Sequence, residues 1–368
     1  MNIVVRAVTH DKLNVMRSLI GYVIVVLFPC LILGCANQSK DVGKGDVITI
    51  NDVGMHELRM SDFVEEVKMF KLETDSFIIG EIGDLCVYDS VLYFFDRLTW
   101  NVVAYDLQNQ LVIRSVNNRG NGPFEYVRPH ALSVDSDYLY MLDSSVRKII
   151  CYDHLLEPKK EIDLDFTAFD FMKVENGFLL CTVLPEPSLD YHKIIYVSQE
   201  GKVKDSYIHT HQYGMTLGKN FIGGKDGITY LTIPYSNQIY CWENGKLSGY
   251  CYTDYGKLNI PEDDEVEDLG IYDSDYIYNN NFFVTSSYLI NAFLYKDRIR
   301  YHFKENGTGH SYCGIVRDEL NGYPFFPRWQ WGDSLIGLCR LEEIYQENKE
   351  SKDDMEGLVA LFFKIRKI

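Results

Sequence analysis

The chain has 368 residues, a formal net charge of −17 and 46% hydrophobic residues, which supplies a core and excludes phosphate-backbone partners such as nucleic acid. Its 27 Tyr and 20 Phe favour strands over helices. Length alone permits one large or two ordinary domains.

Residues 1–34 read as a leader. The apolar run Leu19–Leu33 follows Arg17, is too short for a membrane-spanning helix, and ends in Ile32-Leu33-Gly34-Cys35. Met16 is the better start, because residues 1–15 lengthen the leader ahead of its charged residue without improving it. Cleavage directly before a cysteine resembles the lipobox of bacterial lipoproteins. That resemblance implies that Cys35 becomes the lipidated first residue and that the lipid is the chain's membrane attachment. The leader carries Arg6, Lys12 and Arg17 against Asp11, so its loss makes the remainder still more acidic. Residues 35–60 are expected to form the lipidated cysteine and a polar tether, and residues 61–368 the folded domain. Seven cysteines remain: Cys86, Cys151, Cys181, Cys241, Cys251, Cys313 and Cys339. No CxxC spacing marks a metal or redox site. Most lie within apolar strand patterns and read as small buried hydrophobes, with a disulfide or two left open by an oxidising compartment.

From Gly83 the chain becomes short apolar runs separated by turn residues. GDLCVYD, VLYFFD, NVVAYD and LVIRSVN form an antiparallel four-stranded meander over residues 83–117. HALSVD, YLYMLD, KIICYD and KKEIDL repeat the plan, with Asp96 falling on Asp143 at an offset of 47 residues. In both copies a second aspartate, Asp106 or Asp153, follows ten positions on. A third copy runs through FDFMKV, GFLLCTV, KIIYVS and VKDSYI; a fourth through GITYLTI, QIYCWE and LSGYCYT; a fifth through SDYIYN, NFFVTS, NAFLY and IRYHFK. The sixth offers only PRWQW, SLIGLCR and LVALFFKI, while VKMFKL, residues 67–72, stands alone near the start. Four-stranded units repeating every 40–50 residues predict an all-β, six-bladed β-propeller of antiparallel blades. Its ring is closed when the N-terminal strand completes the last blade and so removes an open edge. SDFVEEV and the insert LEEIYQENKESKDDM favour helix, the former with Asp62 as a cap and Glu65 three residues on.

LETDSFIIGEIGDLCVYDSVLYFFD, the loop RGNGPFEY and the two YD-ending strands resemble the six-bladed β-propeller lipoproteins of Bacteroides-type bacteria, relatives of the NHL-repeat propellers. The likeness runs from about Ser61 to the C-terminus and is strongest before residue 155. It implies a propeller in the cell envelope, at the outer membrane or cell surface, and transfers no catalytic residue. The family loop is close to RGxGPGEY, matched by Arg119, Gly120, Gly122, Pro123, Glu125 and Tyr126. Phe124 departs from it, which suggests a position with no need of positive φ.

RGNGPFEY lacks the GK[ST] ending or following helix of a phosphate loop. It reads as a corner between the first two blades, with Arg119 and Glu125 expected to pair across it, and alternatively as a ligand contact on the propeller face. Asp96 and Asp143 end equivalent strands, a repeated placement that argues for turns held by carboxylate-to-backbone hydrogen bonds. Trp100 is the expected exposed aromatic. Trp329 and Trp331, with Arg328 and Tyr323 nearby, suit either an aromatic platform for sugars or a buried inter-blade face. His209 and His211 could reach one metal, but no third ligand is evident and an exposed loop is the better reading. The acidic run Pro261–Asp268 lacks the spacing of a calcium loop. No cofactor is implied, and no GxSxG, HExxH or Cys–His motif nominates a nucleophile. The resulting expectation is a binding or scaffolding propeller for a glycan, peptide or protein partner. The ligand would touch Trp100, Arg119, Glu125, Tyr126, Arg328 and Trp329. The competing expectation is a polysaccharide hydrolase or lyase with carboxylates converging at the central funnel.

Overall fold

The computed structural model describes residues 42–368, apart from 44, 55, 75–76, 183–185, 211–217, 225–226, 261–274, 278, 297 and 346–356. Strands come first in the chain as β1 (Asp46–Thr49), β2 (Glu57–Arg59) and β3 (Val64–Leu72). Blade 1 is β4 (Ile82–Tyr88), β5 (Val91–Asp96), β6 (Val102–Asp106) and β7 (Leu111–Val116). Blade 2 is β8 (Pro129–Val134), β9 (Leu139–Asp143), β10 (Lys148–Tyr152) and β11 (Pro158–Asp163). Blade 3 is β12 (Asp170–Val174), β13 (Gly177–Cys181), β14 (His192–Ser198) and β15 (Val203–His209). Blade 4 is β16 (Phe221–Gly223), β17 (Thr229–Thr232), β18 (Gln238–Glu243) and β19 (Lys246–Asp254). Blade 5 is β20 (Asn279–Val284), β21 (Tyr288–Tyr295), β22 (Arg298–Glu305) and β23 (Ser311–Arg317). Blade 6 is β24 (Pro327–Trp331), β25 (Ser334–Arg340), β26 (Leu358–Ile365) and, outermost, β3.

These sheets are stacked radially, because the buried residues group into inter-blade clusters. Phe94, Val103 and Tyr105 of blade 1 pack with Trp329, Ile336 and Phe362 of blade 6. Phe95 and Val102, on the other face of blade 1, pack with Met141, Ile150 and Tyr152 of blade 2. Further clusters join blades 2 and 3, blades 3 and 4, and blades 4, 5 and 6. Period-2 alternation thus sends both faces of each blade into a core, and each fully buried Phe or Leu stabilises by roughly 1.5–3 kcal/mol. The four buried and three half-buried cysteines lie in these strands or at their edges as small hydrophobes.

Ring closure follows the expected plan. β3 pairs antiparallel with β26 from Leu72↔Leu358 to Val64↔Ile365, so both ends of the chain share blade 6. The Tyr105 hydroxyl donates to the Lys71 carbonyl at 2.7 Å and ties blade 1 to the closing strand.

Four expectations are corrected. β1 and β2 fall within the stretch read as a tether; they add as parallel fifth strands to the outer edges of blades 4 and 5. In blade 5 the first strand is β20, not SDYIYN, and the unread β23 supplies the fourth. SDFVEEV gives only one helical turn, Met60–Phe63, before β3 begins. Asp62 does not cap that turn but pairs with Arg59 at 2.9 Å; the Glu319 carboxylate instead accepts the Met60 and Ser61 N–H groups at 2.9 and 2.8 Å.

Candidate ligand-binding site

Each blade's inner strand begins at one face of the ring, and that face carries the inter-blade loops and the turns between second and third strands. RGNGPFEY lies there, between β7 and β8, and forms a corner. Gly120 N–H donates to the Tyr126 carbonyl at 3.0 Å, and Tyr126 N–H to the Asn118 carbonyl at 2.9 Å. Glu125 folds back so that its carboxylate accepts the Gly122 N–H at 2.7 Å. A Cβ on Gly120 would stand 2.0 Å from that carboxylate, so the glycine clears its space. Glu125 is therefore used within the corner, and the expected pairing with Arg119 does not form. Arg119 instead stacks on Trp100, its guanidinium 4.9 Å from the ring centroid.

Tyr126 is buried, and its hydroxyl donates to the Trp100 carbonyl at 2.6 Å, with the Val116 carbonyl at 3.1 Å. It braces the corner and is withdrawn from solvent. Burial pushes its phenol up to about 12. The reading of Phe124 is overturned, since its φ is +58°. Its N–H donates to the Glu161 carboxylate at 2.8 Å, and Lys148 ion-pairs with the same carboxylate, so blade 2 holds the left-handed residue in place.

The two repeated aspartates act as the sequence suggests. Asp96 accepts the Gly80, Glu81 and Thr99 N–H groups at 3.0, 2.7 and 2.7 Å. Asp143 accepts those of Val127, Arg128, Ser145 and Val146 at 2.6, 2.9, 2.8 and 3.3 Å. Each carboxylate latches an inter-blade loop to a hairpin turn of its own blade. Trp100 and Arg147 sit four residues after these aspartates, both with positive φ, +62° and +53°.

At the ring axis, residues from all six blades meet. Asp84 of β4 accepts the Trp329 indole N–H from blade 6 at 2.7 Å. Its other oxygen accepts the Leu132 N–H of blade 2 at 2.8 Å and Lys219 Nζ at 2.7 Å. Lys219, just before β16, is also 2.7 Å from Asp170 of β12. Asp170 accepts the Asn220 N–H at 2.7 Å with its second oxygen. Blade 5 contributes Asn281, whose amide lies 3.3 Å from the Arg328 carbonyl. The two carboxylates raise the Lys219 ammonium pKa despite its burial, and burial pushes the Asp170 carboxyl up against the pull of Lys219. Both carboxylates are buried with every oxygen engaged, so they form a polar plug at the axis, beside which the buried Asn281 Oδ1 has no hydrogen-bond partner among the described residues.

Arginines ring the mouth above the plug. Arg328 of β24 lies with its guanidinium 4.8 Å from the Trp329 centroid, and its buried Nε has no hydrogen-bond partner. Burial lowers its pKa and the neighbouring Arg97 acts in the same direction, while the Asp84 and Glu81 carboxylates nearby oppose the shift. Arg97 pairs with Glu81 at 3.1 Å and passes over Gly83, where a Cβ would stand 2.9 Å from its Nε. Arg128 is exposed. His130 is lowered by burial and by Arg128 and Arg97.

Trp329 is thus core and plug rather than an exposed platform. A bulge between Pro327 and Trp329 shifts the register of β24, and Trp331 is 40% exposed, in edge contact with Phe362. His209 ends β15, half-stacked in a T against His192 at 5.7 Å, while His211, the 261–268 acidic run, the leader and Cys35 lie outside the described residues. On the opposite face, turns of blades 2–4 enclose a cleft of about 700 Å3 lined by Asp135, Tyr138, Tyr140, Lys160, Lys173 and Glu175. Its central cation is spent, because Lys173 Nζ donates to the Val174 carbonyl at 2.6 Å and lies 3.7 Å from Asp135.

Two solved structures share the fold. A Bacteroides fragilis protein thought to be exported aligns at a TM-score of 0.73 and 16% identity, covering 87% of this chain and 100% of that one. A Bacteroides vulgatus member of the DUF4221 family aligns at 0.52 and 12% identity, covering 83% of this chain and 98% of that one. Among curated proteins there is no significant sequence match. A family model covers residues 46–367, from β1 to the end of the closing sheet, and by that match the chain belongs to the family described as Domain of unknown function (DUF4934).

Proposed function

We propose that this protein is a cell-envelope binding or scaffolding propeller, anchored by lipid on Cys35, that seats a glycan, peptide or protein partner on the loop-bearing face at the axial mouth. One observation carries the reading. The floor of the mouth is a plug of Asp84, Lys219, Asp170 and Trp329 whose carboxylate oxygens are all engaged, whereas its rim presents Arg328 and Arg128, which have no carboxylate partner among the described residues, and the Trp100–Arg119 stack. Such a cup can hold a ligand and offers no free carboxylate at its base for proton transfer. The leader that ends in Cys35 supports the location, as does the exported character attributed to the B. fragilis structural neighbour.

Binding of the full chain to glycan and peptide arrays, followed by hydrogen exchange with the hits, tests this reading. Protection is expected at residues 78–82, 117–130 and 318–328. Protection confined to the opposite-face cleft, at 135–138, 223–224 and 227–228, contradicts it. The enzymatic alternative has two converging carboxylates in its favour; release of products from a bound polysaccharide, abolished by Asp84→Asn, would replace the binding reading with that one.

A further inference from the structure

The rim is chemically lopsided. Its carboxylates are consumed: Asp96 and Asp143 by backbone N–H groups, Asp84 and Asp170 by Lys219, Trp329 and backbone, and Glu81 by Arg97. Two of its cations, Arg328 and Arg128, have no carboxylate partner among the described residues, whereas Arg97 is spent on Glu81. Arg328 is half-buried, its guanidinium over an indole that Asp84 fixes in turn, with a buried Nε that lacks an acceptor among the described residues. Arg128 is exposed and makes no side-chain ion pair among the described residues. Arg97 adds its field to both sides, since it lies close enough to oppose the charge of Arg328 and of His130. Blades 6 and 2 therefore each bring an arginine with no carboxylate partner among the described residues to this face, with the Glu81-paired Arg97 of blade 1 close to Arg328, in a chain whose net charge is −17.

A planar guanidinium stacked on an aromatic ring retains its forked edge for two parallel hydrogen bonds, the geometry that carboxylate, sulfate and phosphate oxygens match. Desolvating such a group without a counter-ion is costly, and an incoming anion offsets that cost. We propose that this sector of the mouth binds an oxyanion carried by the ligand, with Arg328 as the anchoring residue and Arg128 and Arg97 completing the field. The inference rests on the binding reading above and specifies its ligand chemistry.

Calorimetry of the full chain with galacturonate and galactose, which differ at the carboxylate, tests it; inorganic sulfate and phosphate are the parallel arms that separate sulfate or phosphate esters from carboxylates. Galacturonate or one of the inorganic anions is expected to bind at least tenfold more tightly than galactose. Arg328→Gln is expected to weaken that binding about tenfold or more, and Arg128→Gln, at an exposed position that does not threaten folding, by a smaller factor. Arg317→Gln, on the outer strand β23 where Arg317 lies 3.4 Å from Glu57, should leave it unchanged. Failure of galacturonate, sulfate and phosphate alike to bind more tightly than galactose, or indifference to both rim substitutions, overturns the proposal. If neutral array ligands still protect the mouth while no anion binds, the oxyanion inference falls and the binding reading survives.

Discussion

Lys219 shows how one side chain fixes the chemistry of the axis. Two buried carboxylates face its ammonium at 2.7 Å each, so Lys219→Met leaves like charges with no cation between them. Breaking a buried ion cluster in this way is expected to cost about 3–5 kcal/mol. Urea denaturation at pH 7 should show that loss, and adding Asp170→Asn should recover much of it; an unchanged midpoint would mean the cluster is not formed. His302 makes the opposite point about an unpaired group. Burial and Lys304 depress its imidazole to about 4, so the unfolded chain takes up a proton below pH 6.5 that the folded chain refuses. Its contribution to stability is therefore complete above pH 6.5 and falls by about 3 kcal/mol as pH drops toward 4. His302→Gln should flatten that decline relative to the parent chain, and identical pH profiles would contradict the assignment. Asp96 and Asp143 were legible because the same residue ends the same strand in successive copies. The axial cluster was not, because Asp84, Asp170, Lys219 and Trp329 come from four blades with no fixed spacing. The available signal was contrast: Asp84 breaks an apolar inner strand where the next copy has Ala131. Phe124 departs from the expectation of no positive φ because a Cβ disfavours that conformation without forbidding it, and bonds from blade 2 hold the residue there.

Strands with an apolar period were readable; those defined by their partners were not. β1 and β2 are short and largely exposed, with burial supplied by the edge they join. That edge is prepared for them. A Cβ on Gly314 of β23 would stand 2.3 Å from the His56 carbonyl, and one on Gly249 of β19 would stand 1.9 Å from the Gly43 carbonyl. The same Gly314 interrupts the apolar pattern of Ser311–Arg317, which is why that strand escaped the sequence reading. Gly314→Val should displace β2 and leave the inner strands of blade 5 paired. Hydrogen exchange at residues 57–59 is expected to rise at least tenfold with that at 288–295 unchanged, and unaltered exchange at 57–59 would refute the close approach. In β24 a bulge lies between Pro327 and Trp329, while Trp329 and Trp331 keep the shared face that simple alternation gives, the first buried and the second 40% exposed. Bulges of this kind leave no mark in composition, and this one sets Trp329 in the core so that its indole reaches Asp84.

At the scale of the molecule, six four-stranded sheets bury one another around an axis, and the N-terminal segment runs along the outer edges of blades 4, 5 and 6 in turn. That path protects three edges that would otherwise recruit foreign strands. It also couples the ends of the chain, because β3 and β26 must meet for blades 6 and 1 to bury Phe362 against Phe94. The rim of the mouth depends on that closure, since Arg328 and Trp329 lie on blade 6, and Asp84, which accepts the Trp329 indole N–H, and Arg97, the cation beside Arg328, lie on blade 1. The 47-residue repeat made the ring readable from sequence, and the three-strand final copy made its closure readable too. The direct measurement is cross-linking across the closing pair, where Glu66 and Lys364 stand opposite each other in register. In the double variant Glu66→Cys and Lys364→Cys, mild oxidation is expected to give a linked peptide joining positions 66 and 364 and a raised unfolding midpoint. A folded, oxidised double variant with no link between those positions would show that the two ends do not share a blade.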